Sequence, residues 1–94
     1  MKIRWTRLAV DDLDQAREFI SADKPGAARA TIGRIRSAVR ALETHPLIGR
    51  MGRVEGTREL VVSGTPFIVV YRIARQRVEI LGPIHGARRW PDAF

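Results

Sequence analysis

Five apolar residues, Ala28, Ile32, Ile35, Val39 and Leu42, recur at spacings of 4, 3, 4 and 3. That period places them on one stripe of an α-helix and predicts a buried face that needs a second layer to pack against. A similar stripe precedes it: Ala9, Leu13, Ala16 and Ile20 at spacings of 4, 3 and 4. Thr6 is placed to cap the first helix, with Trp5 before it and Val10 four residues after it as a hydrophobic staple. Asp11 and Asp12, near that helix's start, suit its dipole. Ser21 to Lys24 forms the break, with Asp23 as the expected cap of the second helix and Pro25 tolerated in its first turn. So short a connection predicts an antiparallel helical hairpin. His45-Pro46 ends the second helix, because a residue before proline avoids the α region. Arg29, Arg36 and Arg40 make a separate basic stripe.

The rest of the chain reads as strands. Lys2 to Trp5 is a short strand with Ile3 and Trp5 on one side. Pro46 to Gly56 reads as a loop that carries Arg50 and Arg53. Strand character runs from Thr57 to Val62, and Ser63-Gly64-Thr65-Pro66 makes a turn. Phe67 to Ile73 is apolar on both faces, as a central strand is, with Tyr71 in the core. Arg75-Gln76-Arg77 is a weak turn signal before a last strand, Val78 to Ile84. The expected fold is α+β: an N-terminal strand, the helical hairpin, then a three-stranded antiparallel meander, in one domain over residues 1–94. An antiparallel sheet would carry the helices on one face. Its other face would keep apolar residues for a partner to cover.

Charge narrows the partners. The chain has 17 Lys and Arg against 10 acids, a formal net charge of +7. The first 23 residues hold four of those bases and five of those acids, so the surplus lies in residues 24–94. Such a field favours nucleic acid or an acidic protein surface. Of the 17 bases 15 are Arg, which suits phosphate and carboxylate recognition and equally fits an Arg-favouring genome. The absence of cysteine excludes a disulfide framework, a thiolate metal site and a cysteine nucleophile. The longest apolar run, Phe67 to Tyr71, is five residues, far short of the ~20 of a membrane helix. Met1 to Trp5 lacks a signal-peptide stretch, so a cytoplasmic protein is expected.

Few residues invite chemistry. His85 lies beside Gly86, Arg88 and Arg89, where a histidine can serve as general acid or base or as a hydrogen-bonded strand end. His45 reads as a helix-end residue. Arg88 and Arg89, with Trp90-Pro91 following, suit phosphate, a stacked base or an acidic partner; Trp90 also suits an anchor for the tail. Arg58 and Arg72 lie in strands, Arg58 with Glu59 as half of an exposed cross-strand pair or as a partner contact. Asp11, Asp12, Asp14 and Glu18 face different directions on a helix, so a solvated face is expected and no metal site. No Ser-His-Asp arrangement, phosphate-binding glycine loop or zinc spacing is present, and no cofactor is expected.

Four stretches together resemble the ParE branch of the RelE/ParE toxin superfamily. They are Trp5-Thr6 with Ala9 and Asp12-Leu13; Pro46, Gly49-Arg50, Gly52 and Gly56-Thr57-Arg58-Glu59-Leu60-Val61; Ile68 to Ile73; and His85-Gly86-Ala87-Arg88-Arg89-Trp90-Pro91. The resemblance implies a toxin of a type II toxin–antitoxin pair, held inactive in a hetero-oligomer by the acidic, amphipathic C-terminal segment of a cognate antitoxin. Operator DNA would be reached only through that antitoxin. It also implies one of two targets. ParE-type members bind DNA gyrase without bond chemistry of their own; RelE-type members cut mRNA on the ribosome. The RelE pattern has an arginine where this chain has Ile68, and a Lys-x-Lys run where it has Arg58-Glu59-Leu60. Its catalytic C-terminal tyrosine has no counterpart unless Trp90 or His85 takes that place. These departures count against cleavage; gyrase is the expected target, and Arg50, Arg53, Arg58, Arg72, His85, Arg88, Arg89 and Trp90 are the candidate contacts to a partner or target. Ribosome-dependent cleavage is the alternative, and a small basic nucleic-acid-binding module is a reading outside the family.

Overall fold

In the computed structural model, which describes residues 1–94, Thr6 is the point where the first helix is tied to the sheet. Its Oγ accepts from the Ala9 N–H at 3.2 Å and donates to the Ile80 carbonyl at 2.6 Å. The cap is thus also a tether. The elements are β1 (Lys2–Trp5), α1 (Arg7–Asp23), α2 (Pro25–Ala41), β2 (Arg50–Met51), β3 (Arg58–Val61), β4 (Phe67–Ala74), β5 (Arg77–Ile80) and β6 (Ile84–His85). One residue, Lys24, separates the helices, with a ψ outside the α region that a following proline disfavours. Asp23 therefore ends α1 instead of capping α2; Lys24 takes the cap position and makes no side-chain hydrogen bond there. Asp11 and Asp12 fall beyond the first turn of α1, which holds no acid.

The sheet runs β1-β5-β4-β3-β2, with β6 beside the start of β4. β3, β4 and β5 form the expected antiparallel meander, Leu60 facing Val69 and Tyr71 facing Ile80. β1 departs from an all-antiparallel sheet by pairing with β5 in parallel, Ile3 opposite Val78. The helical hairpin carries the chain from β1 at one edge of the sheet to β2 at the other, and the meander then returns to place β5 beside β1. Two strands lie outside the expected set. Arg50–Met51 pairs with Glu59 and Arg58 inside the stretch read as loop. The strand expected over 78–84 divides at Leu81-Gly82-Pro83. Leu81 and Gly82 both donate to the Val70 carbonyl, as at a bulge, and proline has no N–H to continue the ladder.

The core follows from the two apolar stripes. Ala9, Leu13, Ala16, Ile32, Ile35, Val39 and Leu42 pack with Val62, Phe67, Val69, Tyr71, Val78 and Ile80, and Ile20 is only partly buried beside them. The opposite face of β4 differs from expectation. Ile68 and Val70 are not left open for a partner: Leu81 and Ile84 pack on them, with Trp90 and Phe94 over that cluster. The chain's own tail supplies the cover.

Two stability tests follow. Ile35 has no solvent exposure, so Ile35→Ala should cost about 2–5 kcal/mol in a denaturant melt. Arg75 and Gln76 turn the β4–β5 hairpin at φ 54° and 63°, a conformation that costs a residue with a side chain roughly 1–2 kcal/mol. Replacing the pair by Asn-Gly, which such two-residue turns favour, should raise stability by about 1 kcal/mol; an unchanged or lower melting temperature would count against the strain.

Candidate functional site

On the sheet face away from the helices, alternation brings charged side chains of five strands together. Glu79 of β5 is opposite Arg72 of β4 and beside Arg4 of β1, and Glu59 of β3 is opposite Arg50 of β2. Both carboxylates are buried. Arg72 Nε donates to Glu79 at 2.8 Å and Arg4 Nη1 at 3.2 Å, while Arg77 Nε is 4.0 Å away. Glu59 accepts from the Arg53 backbone N–H at 2.7 Å, from Arg53 Nε at 3.3 Å and from Arg50 Nη2 at 3.2 Å. Burial pushes the Glu59 carboxyl up, but these hydrogen bonds outweigh it and hold the group below the usual carboxylate range. For Glu79 the Arg72 hydrogen bond leads, against burial, and the result is again a lowered pKa. Five guanidinium groups around two carboxylates leave the face basic, with each arginine still partly open to solvent.

The Arg53 guanidinium also lies 3.6 Å from the centre of the Trp90 ring, a cation–π contact that joins the loop to the tail. Trp90 Nε1 donates to the His85 carbonyl at 3.3 Å. His85 is used structurally: Nδ1 accepts from the Ala87 N–H at 3.1 Å, and its ring meets Phe67 edge-on at 5.6 Å. No salt bridge joins it to an acid. Arg88 reaches Asp12 on α1 at 3.9 Å, and Arg89 lines the same shallow cleft between tail and α1. Burial raises the Asp12 pKa, with Arg88 opposing and Asp11 adding to it.

Arg58 is elsewhere. It points toward the helix side and is not an exposed partner of Glu59: its Nη1 donates to the Gly49 carbonyl at 2.8 Å and to Leu47 at 3.4 Å. Tyr71 pins the same segment, donating to Pro46 O at 2.8 Å and accepting from Gly49 N at 2.9 Å. A side chain at Gly49 would stand 2.6 Å from the Tyr71 hydroxyl, so only glycine fits there. Of the candidate contacts, Arg50, Arg53, Arg72 and Trp90 share the open face, while His85, Arg88 and Arg89 follow in the tail. Sequence reasoning missed Arg4, Arg77, Glu59 and Glu79 as members of this cluster. The available signal was an acid inside an apolar strand, Val78-Glu79-Ile80. No three His, Asp or Glu side chains converge as metal ligands.

The family model described as ParE toxin of the type II toxin–antitoxin system parDE matches residues 3–90. The chain belongs to the ParE toxin family. The candidate toxin Y4kP of Sinorhizobium fredii is 46% identical over 93 residues, covering 99% of this chain and 96% of that protein. Toxin RelE2 of Caulobacter vibrioides is 33% identical over 87 residues, covering 93% and 97%. Among solved structures, the chromosomal ParDE system of P. aeruginosa superposes with a TM-score of 0.80 at 28% identity, over 87% of this chain and 91% of that one. The RelBE2 toxin–antitoxin complex of Mycobacterium tuberculosis gives 0.58 at 26% identity, over 89% and 95%. In this ParE-family toxin, then, the basic open face is a sheet face whose arginines are already engaged by the chain's own carboxylates.

Because Glu59 and Glu79 titrate below their ordinary value of 4.5, the stability they contribute is complete above that pH and is lost as pH falls through the lowered values. Asp12, raised from 3.8, has the opposite sign. Glu59→Gln should lower stability at pH 7 by about 1–3 kcal/mol and flatten the acid limb of a melting-temperature profile. A wild-type slope kept by both Glu59→Gln and Glu79→Gln would show that the pairs do not govern acid unfolding.

Proposed function

We propose that this ParE-family toxin works by binding DNA gyrase and blocking religation, without cutting a bond itself. One observation carries the reading: the arginines of the open face are committed to Glu59 and Glu79, and His85 to the backbone of Ala87. A cleavage site has to meet developing phosphate charge with free, aimed donors, and losing one such donor costs roughly 100–1000-fold. Here two buried anions occupy that place. Ile68, where the RelE pattern carries an arginine, is covered by the tail and brings no charge.

A cognate antitoxin fits the same reading, with residues 1–94 acting as one toxin domain in the cytoplasm and operator DNA met only through the antitoxin. The structural neighbours are described as a ParDE system and a RelBE2 complex, which supports a hetero-oligomer. An acidic-amphipathic antitoxin segment has a suitable seat beside edge strand β1. There Ile3, Trp5, Val10 and Val39 line a cleft that carries Arg36 and Arg40 as well as Asp14 and Glu43, so its apolar residues make the seat and its charge is mixed. Ribosome-dependent mRNA cleavage remains the second reading, favoured by the 33% identity to a protein named RelE2.

Purified protein should inhibit gyrase supercoiling and leave mRNA uncut on programmed ribosomes. Arg88→Ala with Arg89→Ala should weaken inhibition by about tenfold, the equivalent of ~1.4 kcal/mol, with an unchanged melting temperature. Codon-specific cuts that His85→Ala abolishes would promote the ribonuclease reading instead.

A further inference from the structure

Three buried or half-buried side chains of the sheet spend their polar groups on one loop. Tyr71 holds Pro46 and Gly49, Arg58 holds Leu47 and Gly49, and Glu59 holds the backbone of Arg53. Loops on a protein surface are ordinarily mobile, so this fixation needs a reason. The loop carries three of the chain's most exposed apolar side chains: Leu47 at 66%, Ile48 at 55% and Met51 at 73%. Burying any of them against the domain would have been favourable; instead they project at the sheet edge formed by β2. Rigid, projecting apolar groups enter a partner's concavity with little further loss of entropy, which is how a few residues come to dominate an interface.

We propose that the Leu47–Met51 loop is the knob by which the toxin engages its protein target, seated in an apolar groove with an acidic rim. The claim rests on the toxin reading and goes further by naming the contact surface. Charge chooses the occupant. Arg50 lies within the knob and Arg53 just after it, each with about half of its side chain open, and the chain as a whole carries +7. A second copy would bring the same positive charge to the contact and is disfavoured. An acidic rim is attracted, and Arg53 stacked on Trp90 continues the basic border into the tail. A convex knob fits a folded partner's groove and not an extended peptide, which itself needs a groove to lie in.

The test uses Leu47→Asp, Ile48→Asp and Met51→Asp, singly and together, in full-length toxin expressed with and without its antitoxin. All three side chains are exposed, so melting temperatures should stay near wild type. Growth arrest should need at least about tenfold more toxin for the triple variant, as losing interface anchors does, while antitoxin still co-purifies. Leu47→Lys should be milder than Leu47→Asp, since an acidic rim repels only the latter. Unchanged arrest overturns the proposal, and so does loss of antitoxin binding in place of arrest. Wild-type binding to phosphatidylglycerol vesicles that the variants lose would assign the knob to a membrane and overturn it as well. A wild type that arrests no growth overturns both target claims. A parallel supercoiling assay separates the two. Arrest that depends on the knob while gyrase is untouched keeps this proposal and removes gyrase.

Discussion

The central strand has to be covered on both faces. Phe67 to Tyr71 is buried at every position, so no arrangement with one layer of helices satisfies it. The helical hairpin takes the face of Phe67, Val69 and Tyr71, and the C-terminal segment takes Ile68 and Val70. That second demand explains the end of the chain. β5 stops at Ile80, both following N–H groups turn onto the Val70 carbonyl, and the backbone crosses to lie beside Phe67 as β6. In a domain of this size a tail that buries two apolar side chains is a sizeable part of the core.

Buried carboxylates then decide the character of the open face. An unpaired carboxylate there would be driven toward protonation, so Glu59 and Glu79 require the guanidinium groups around them. The requirement runs both ways. Arg50 and Arg53 are held to one acid, Arg4 and Arg72 to the other, and their geometry is fixed before any partner arrives. A face built in this way keeps positive charge and loses adaptability. What it offers a partner is positive charge at fixed positions, with part of each guanidinium's donor set already spent on the chain's own acids.

The parts legible in the sequence are those governed by local pattern. The stripe through Ile32, Ile35 and Val39, the Thr6 cap and the doubly apolar β4 all state their structure within a few residues. Pairings decided at long range did not show. β1 reads as a strand, but its parallel partner β5 lies 75 residues away in register, Lys2 opposite Arg77. The two-residue β2 and β6 are too short to establish a period. Glu59 reads as half of an exposed pair because an acid in a strand is ordinarily solvated, and Glu79 draws no notice in the sequence; only the converging arginines make their burial tolerable. Trp90 was legible as an anchor for the tail, whereas Phe94 carried no pattern at all.

The abundance of arginine, ambiguous in the sequence, has a structural component. Ten of the 15 arginines make a salt bridge or reach a backbone carbonyl, Arg34 at Ser63 and Arg58 at Gly49 among the latter. Lysine could supply the charge but not the geometry. Arg53 shows the difference: one planar group donates to Glu59 through two nitrogens while its face lies on Trp90. A lysine ammonium has no flat face to stack and no fixed fork to aim. The acid, the loop and the tail therefore meet through a residue type that can serve all three. Because Arg53 lies in the segment that carries the exposed loop, any partner that moves it would disturb Glu59 and Trp90 together. The open face and the sheet edge are in this sense a single mechanical unit.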